Sequence, residues 1–341
     1  MSARMRWRRG LWDTRQMLYE SFQLLLGSVL HEKVNLEEFE SWMDSFMSRP
    51  YLISAVGTPL TDNDELHVDG LAVHLDAQAN ASIDGILVAG SMGAMQLLAD
   101  RTYSELVARS VELWRRRGEL LVGVGDTSFV RTRERIRTVN QYSVDGTVVL
   151  APYFINFSQS ELIDYFQALA AESKAPLYLY DLPARTRTSL TIDTVLTLSE
   201  TPNIAGIKCS GDASQTRRLK MALGDSAFRT ILAKPMMIDA LFQAGMREHL
   251  DGVYAIVPQW MKKIADAVEQ QDWQQASQKI AQLGNFLDVL VQYDVFPAMT
   301  ELLNAQDVMG NYAPRPFARL DYKQREAILG EPIIQELLRG G

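Results

Sequence analysis

Lys208 lies in an unusual place for a lysine. The stretch from Asn203 to Asp212 reads NIAGIKCSGD, an apolar run with Pro202 and Asn203 before it and Gly211 after it. Such a run predicts a short, buried parallel strand. Burial disfavours a charged ammonium, and a neutral amine attacks carbonyl carbon. Side chains alternate along a strand, so Gly206, Lys208 and Ser210 share one face and Ile207 and Cys209 the other. With Ile207 against flanking helices, Lys208 points inward and Cys209 reads as a small core residue. Two further groups suit the same chemistry. Tyr180 closes the run Leu177-Tyr178-Leu179-Tyr180, and its phenol is able to relay a proton. In Gly90-Ser91-Met92-Gly93 two glycines flank a serine, which lets backbone N–H groups converge on a carboxylate. Each has a plainer reading alone: a lysine that snorkels past the strand end, a tyrosine filling space at a wet rim, a simple turn.

The elements that must position these groups follow a rhythm. Short β-rich runs, at Leu52–Val56, Gly85–Ala89, Leu120–Val124, Gly146–Leu150, Leu177–Tyr180, the Lys208 run, Thr230–Ala233 and Gly252–Ile256, alternate with helical patterns. The helices are expected around 65–80, 100–116, 129–142, 159–173, 191–199, 213–223, 236–245 and from 258. Eight strands, each followed by a helix, predict an α/β fold of the (β/α)8 TIM-barrel type. The alternative, a doubly wound sheet, would show a glycine fingerprint, and Gly123-Val124-Gly125 has no third glycine. In a barrel the strands' C-terminal ends hold the chemistry, which brings Lys208, Tyr180 and the Ser91 loop to one mouth. Residues 51–270 are thus expected to form the barrel, and residues 271–341 a helical C-terminal extension. Residues 1–50 are expected to be a basic tail plus a helical extension.

The totals limit the partners. The chain has 341 residues, 47% hydrophobic and 22% charged, as in an ordinary globular protein. A net charge of −8 argues against a nucleic-acid surface. Its single cysteine, Cys209, leaves no intrachain disulfide and suits a reducing, cytoplasmic location. No apolar run reaches the ~18 residues of a membrane span. The first ten residues carry four arginines and no acid. They read as a tail, or as a start assigned too far upstream, rather than as an organelle transit segment. Leu18, Phe22, Leu25, Leu26 and Val29, then Phe39, Trp42, Met43 and Phe46, predict one or two helices over 11–48. His67 and His74 stand seven apart and read as a solvated helix face, not a metal pair.

From about Tyr51 to Arg319 the chain resembles the dihydrodipicolinate synthase and N-acetylneuraminate lyase family of Schiff-base aldolases. Four stretches carry the resemblance: Gly90-Ser91-Met92-Gly93, Ala151-Pro152-Tyr153-Phe154, Tyr180-Asp181-Leu182-Pro183-Ala184-Arg185-Thr186 and Gly206-Ile207-Lys208. Asp288–Leu290, Val295–Pro297 and Arg315-Pro316-Phe317 look more like the lyase branch. The resemblance implies that Lys208 forms an iminium with pyruvate or another 2-keto acid and that Tyr180 relays protons. It also implies that Gly90, Ser91 and Met92 hold the carboxylate. Tyr153, Phe154, Tyr254, Lys234 and Arg185 are expected to join the substrate site, Lys234 by its place at the end of the seventh strand rather than by the resemblance. No metal or organic cofactor is implied, and the partners are a 2-keto acid, an aldehyde and further copies of the chain in a dimer or tetramer.

The departures from the family pattern are specific. Met92 stands for a threonine, Ala94 for a glutamate, and Phe154 for the tyrosine that completes a hydroxyl relay in the synthases. A phenyl ring cannot pass a proton. Cys209 alone separates Lys208 from Ser210-Gly211, one residue short of the usual spacing. Ala233-Lys234-Pro235 replaces a Gly-Asp. Arg185 matches the position that binds the distal carboxylate of an acidic aldehyde, and facing the mouth it would select one; the alternative is a surface arginine paired with an acid such as Asp181. Lys234 would add a second cation at the mouth, or lie solvated at its rim. The expected activity is a Schiff-base lyase or aldolase with pyruvate as product or donor. A dihydrodipicolinate synthase, a 2-keto-acid dehydratase, and a 2-keto-acid binder with weakened turnover are the alternatives.

Overall fold

The computed structural model describes residues 49–340. The helices expected over 11–48 lie outside these residues. Eight parallel strands close into a barrel, and β1 pairs with both β2 and β8. The strands are β1 Tyr51–Ala55, β2 Gly85–Val88, β3 Glu119–Gly123, β4 Gly146–Leu150, β5 Leu177–Asp181, β6 Ile204–Cys209, β7 Arg229–Leu232 and β8 Glu248–Asp251. Their side chains are nearly all buried, because the barrel fills one face and the helices cover the other. Seven strands lie where the apolar runs predict them.

The eighth strand does not. Gly252–Ile256 has the apolar look of a strand, yet Val253–Ala255 is a 3-10 turn and the strand is the preceding Glu-His-Leu-Asp. Two causes account for this. The helix Ile238–Gln243 ends at Ala244, and Gly245 turns with φ 82°, so Glu248 is already in line to pair with Tyr51 of β1. The polar character of Glu248 is then absorbed inside the barrel by a cation.

That cation is Arg229 of β7. Its guanidinium donates to Glu248 of β8 (2.6 Å), to Glu119 of β3 (3.1 Å to Oε2) and to the Tyr178 hydroxyl of β5 (2.9 Å). It lies 5.7 Å from the Tyr51 ring of β1. These side chains form a polar floor at the N-terminal end of the barrel. Gly146 of β4 makes room for it: a Cβ there would stand 2.5 Å from the Tyr178 ring.

Beyond the barrel, helices Pro258–Glu269, Trp273–Gln292, Val295–Asn304, Tyr322–Gly330 and Pro332–Leu338 complete the fold. Trp260 meets Phe286 edge-on at 5.8 Å, within a second core that includes Leu283, Met299 and Tyr312. Asp294, at φ 62°, breaks the chain between two of these helices, so that Leu287, Leu290, Val291 and Val295 all border the barrel mouth. Among the described residues no helix is long and apolar enough to cross a membrane.

Candidate active site

Lys208 and Tyr180 are register partners on β6 and β5. Both point inward near the strands' C-terminal ends and are buried, at 3% and 4% exposure. The Lys208 ammonium lies 4.1 Å from the centre of the Tyr180 ring. The Tyr180 hydroxyl meets Ser91 Oγ at 3.1 Å. Burial alone would raise the Tyr180 phenol. The nearby Lys208 charge and hydrogen bonds with Ser91, Lys208 and Ser210 outweigh it and hold the phenol below its usual range.

The Ser91 loop has a wound geometry. Ala89 and Ala94 both adopt positive φ, at 49° and 51°. The Ala94 N–H donates to the Ser91 carbonyl (3.1 Å) and the Met95 N–H to the Gly90 carbonyl (3.3 Å). Thr58, in the Gly57-Thr58-Pro59 turn after β1, donates its hydroxyl to the Gly93 carbonyl at 2.7 Å. No motif in the sequence marks this brace. Met92 borders the cavity and packs against Gly252, where a Cβ would come within 2.6 Å of it.

These groups open on a cavity of about 360 Å³, at the lower end of small-molecule sites. Asp251, the last residue of β8, also lines it. Its Oδ1 accepts the Val253 N–H at 3.1 Å. Burial pushes its carboxyl up, opposed by that N–H, Lys208, the Gly252 N–H and Lys234. Misplacing the strand hid Asp251. The one signal was an acid directly before the Gly252 turn.

The other expected residues lie elsewhere. Tyr254 is fully buried in the turn after β8 with its hydroxyl unpartnered, and it does not line the cavity. It packs into the second core, which turns it away from the cavity. Arg185, on the short helix Pro183–Thr186, is exposed and off the cavity wall. Lys234 is also off the wall; its ammonium donates to the Ser210 carbonyl at 3.3 Å and ties the exits of β6 and β7 together. Tyr153 lies near Asp126, Arg131 and Arg135, away from this cavity. Phe154 projects at 88% exposure with φ 87°. Gly90 is buried in the loop.

The histidines need a correction. His67 accepts the Gly70 N–H at 2.9 Å and caps its helix, but His74 is buried against the edge of Tyr312, not solvated. A larger cavity, about 520 Å³, lies behind β6 and touches Cys209. Cys209 is no nucleophile there, since burial pushes its thiol up to about 12.

An inward lysine at the mouth of a (β/α)8 barrel, with a tyrosine on the next strand and a serine beyond it, defines a Schiff-base aldolase type of enzyme. The chain belongs to the dihydrodipicolinate synthetase family, whose model matches residues 50–331. Enzymes of this class make or break carbon–carbon bonds. The chain is 30% identical over 211 residues to the 4-hydroxy-tetrahydrodipicolinate synthase of Stenotrophomonas maltophilia, covering 62% of this chain and 69% of that protein. It is 29% identical over 173 residues to the protein of that name from Exiguobacterium sibiricum, 50% of this chain and 59% of that one. The crystal structure of YagE, a prophage protein of this family from E. coli K12 in complex with pyruvate, superposes with TM-score 0.77. It has 24% identity and covers 85% of this chain and 98% of that one. Dihydrodipicolinate synthase from Aquifex aeolicus gives TM-score 0.76 at 19% identity, over 85% and 97%. These two likenesses speak to the fold.

Proposed function

We propose that the protein is a Schiff-base lyase or aldolase for which pyruvate is the product or the donor. The observation that carries this reading is Lys208 beside Tyr180, with Tyr180 hydrogen-bonded to Ser91 in one cavity. In this reading the Ser91 hydroxyl and the Ser91 and Met92 N–H groups hold the carboxylate. Lys208 adds to the ketone carbon, Tyr180 passes a proton to the departing oxygen, and water leaves an iminium. In cleavage, Asp251 takes the proton of the C4 hydroxyl, and the C3–C4 electron pair moves into the iminium. An aldehyde departs, and the enamine takes that proton back at C3. Water then releases pyruvate and the lysine amine.

The test is to add pyruvate, reduce with borohydride and map the mass increase. A reduced pyruvyl group on Lys208 is the expected result, lost in Lys208→Arg; an unmodified Lys208 refutes the reading. A homo-oligomer is part of the same proposal, supported by the exposed Phe154 and Ile155. So is a reducing, cytoplasmic setting, which rests on the single cysteine. So too is the division into residues 1–50, 51–270 and 271–341.

A further inference from the structure

The cavity has two unlike halves. The inner half holds the polar lining: Lys208, Tyr180, Ser91, Ser210 and Asp251. The outer half is walled by Leu182 and Ile256 from the barrel loops, and by Leu287, Leu290, Val291 and Val295 from the C-terminal helices. Among the described residues, Lys208 is the one cation on its lining, and the proposed reaction consumes that amine. The two basic residues that could serve a distal carboxylate are elsewhere: Arg185 is exposed off the wall, and Lys234 is held at the Ser210 carbonyl.

A second carboxylate in the outer half would lose water against apolar walls and face Asp251, with no guanidinium to receive it. A polyhydroxylated chain would find few hydrogen-bond partners there, and each buried hydroxyl left unpaired weighs against binding. An aliphatic or aromatic side chain meets only apolar surface and gains by leaving water.

We infer that the aldehyde partner is apolar, an uncharged aliphatic or aromatic aldehyde whose side chain occupies the half-site under Leu287, Val291 and Val295. This rests on the Schiff-base reading above. In the bond-forming direction the iminium of pyruvate gives one C3 proton to Asp251 and becomes the enamine. C3 attacks the aldehyde carbon, one C–C bond forms, and the aldehyde oxygen takes the proton from Asp251. Water then hydrolyses the iminium, freeing Lys208 and a 4-hydroxy-2-keto acid.

The experiment separates the two claims. Borohydride trapping with pyruvate alone reports on the Schiff base. With trapping established, the enzyme is given pyruvate and each of benzaldehyde, isobutyraldehyde, succinic semialdehyde and glyceraldehyde, and the 4-hydroxy-2-keto acid is measured. The expected kcat/KM for benzaldehyde or isobutyraldehyde exceeds that for the acidic and hydroxylated aldehydes by at least about tenfold. Preference for either of the latter, equal use of all four, or no product from the apolar pair overturns the inference. Val291 is 74% exposed at the cavity rim, so an arginine fits there without disturbing the core. Val291→Arg is expected to shift the ratio toward succinic semialdehyde by about tenfold; an unmoved ratio counts against the half-site.

Discussion

At the scale of single residues, the Tyr180 hydroxyl separates two kinds of proton transfer. In the proposed reaction it serves the C2 oxygen, while Asp251 serves C3 and C4. Tyr180→Phe is therefore expected to slow reduced-adduct formation by about 10²–10⁴, the usual worth of a positioned acid–base group. Quench-flow trapping checks it, and an unchanged rate removes Tyr180 from the iminium step. Asp251→Asn is expected to leave trapping on Lys208 intact while abolishing exchange of the C3 protons of pyruvate in deuterated water, followed by NMR. Exchange at the wild-type rate would assign that proton to another group. Lys208, Tyr180 and Ser91 were legible because strand alternation and a glycine-flanked turn fix where a side chain points. Arg185 was not, because a motif gives its position on a loop but not whether the loop turns it inward. Tyr254 and Asp251 exchanged places for one reason, a strand assigned to the wrong side of Gly252.

At the scale of elements, the error lies in what a strand must look like. The other seven strands keep an apolar run whatever polar group they also carry, such as Glu119 at the start of β3 or Arg229 at the start of β7, whereas in β8 Leu250 is the one aliphatic residue. In β8, Glu248 faces Arg229 instead, so charge pairing does the work of hydrophobic burial. The Val253–Ala255 turn borrowed the apolar look because Val253 and Tyr254 pack into the second core and Ala255 into the barrel core. Arg229→Met tests the floor. It leaves Glu119 and Glu248 facing each other without a cation; both remain partly accessible to water, so the expected loss is roughly 2–4 kcal/mol, somewhat below that for a fully buried pair. Urea unfolding measures it, and a midpoint equal to the wild type would mean that the floor contributes specificity rather than stability.

At the scale of the whole molecule, acid should unfold the protein through its interior. His74 is buried with neither ring nitrogen hydrogen-bonded, and burial pushes it down from 6.5 to about 4. The folded state thus resists a proton that the unfolded chain accepts. The His74 contribution is fully present above about pH 6.5 and is lost as the pH falls toward about 4, at about 1.4 kcal/mol per unit. Urea melts at pH 7.5 and 5.5 are expected to show this drop, and His74→Leu to reduce it. An equal drop in the variant would place the acid sensitivity in other groups. The barrel itself was readable from the rhythm of the chain. The two-toned cavity was not, because its outer wall comes from helices far along the chain from Lys208.

The polar floor also sets an order of events. Glu119 and Arg229 are 110 positions apart, and Glu248 comes later still. Contacts so distant along the chain carry a large closure entropy and slow folding. A growing chain cannot complete this ring until Glu248 has emerged from the ribosome. Until then Arg229, Glu119 and Tyr178 lack the strand that closes them from water. The last short strand, the least strand-like in composition, is the latch on the cylinder.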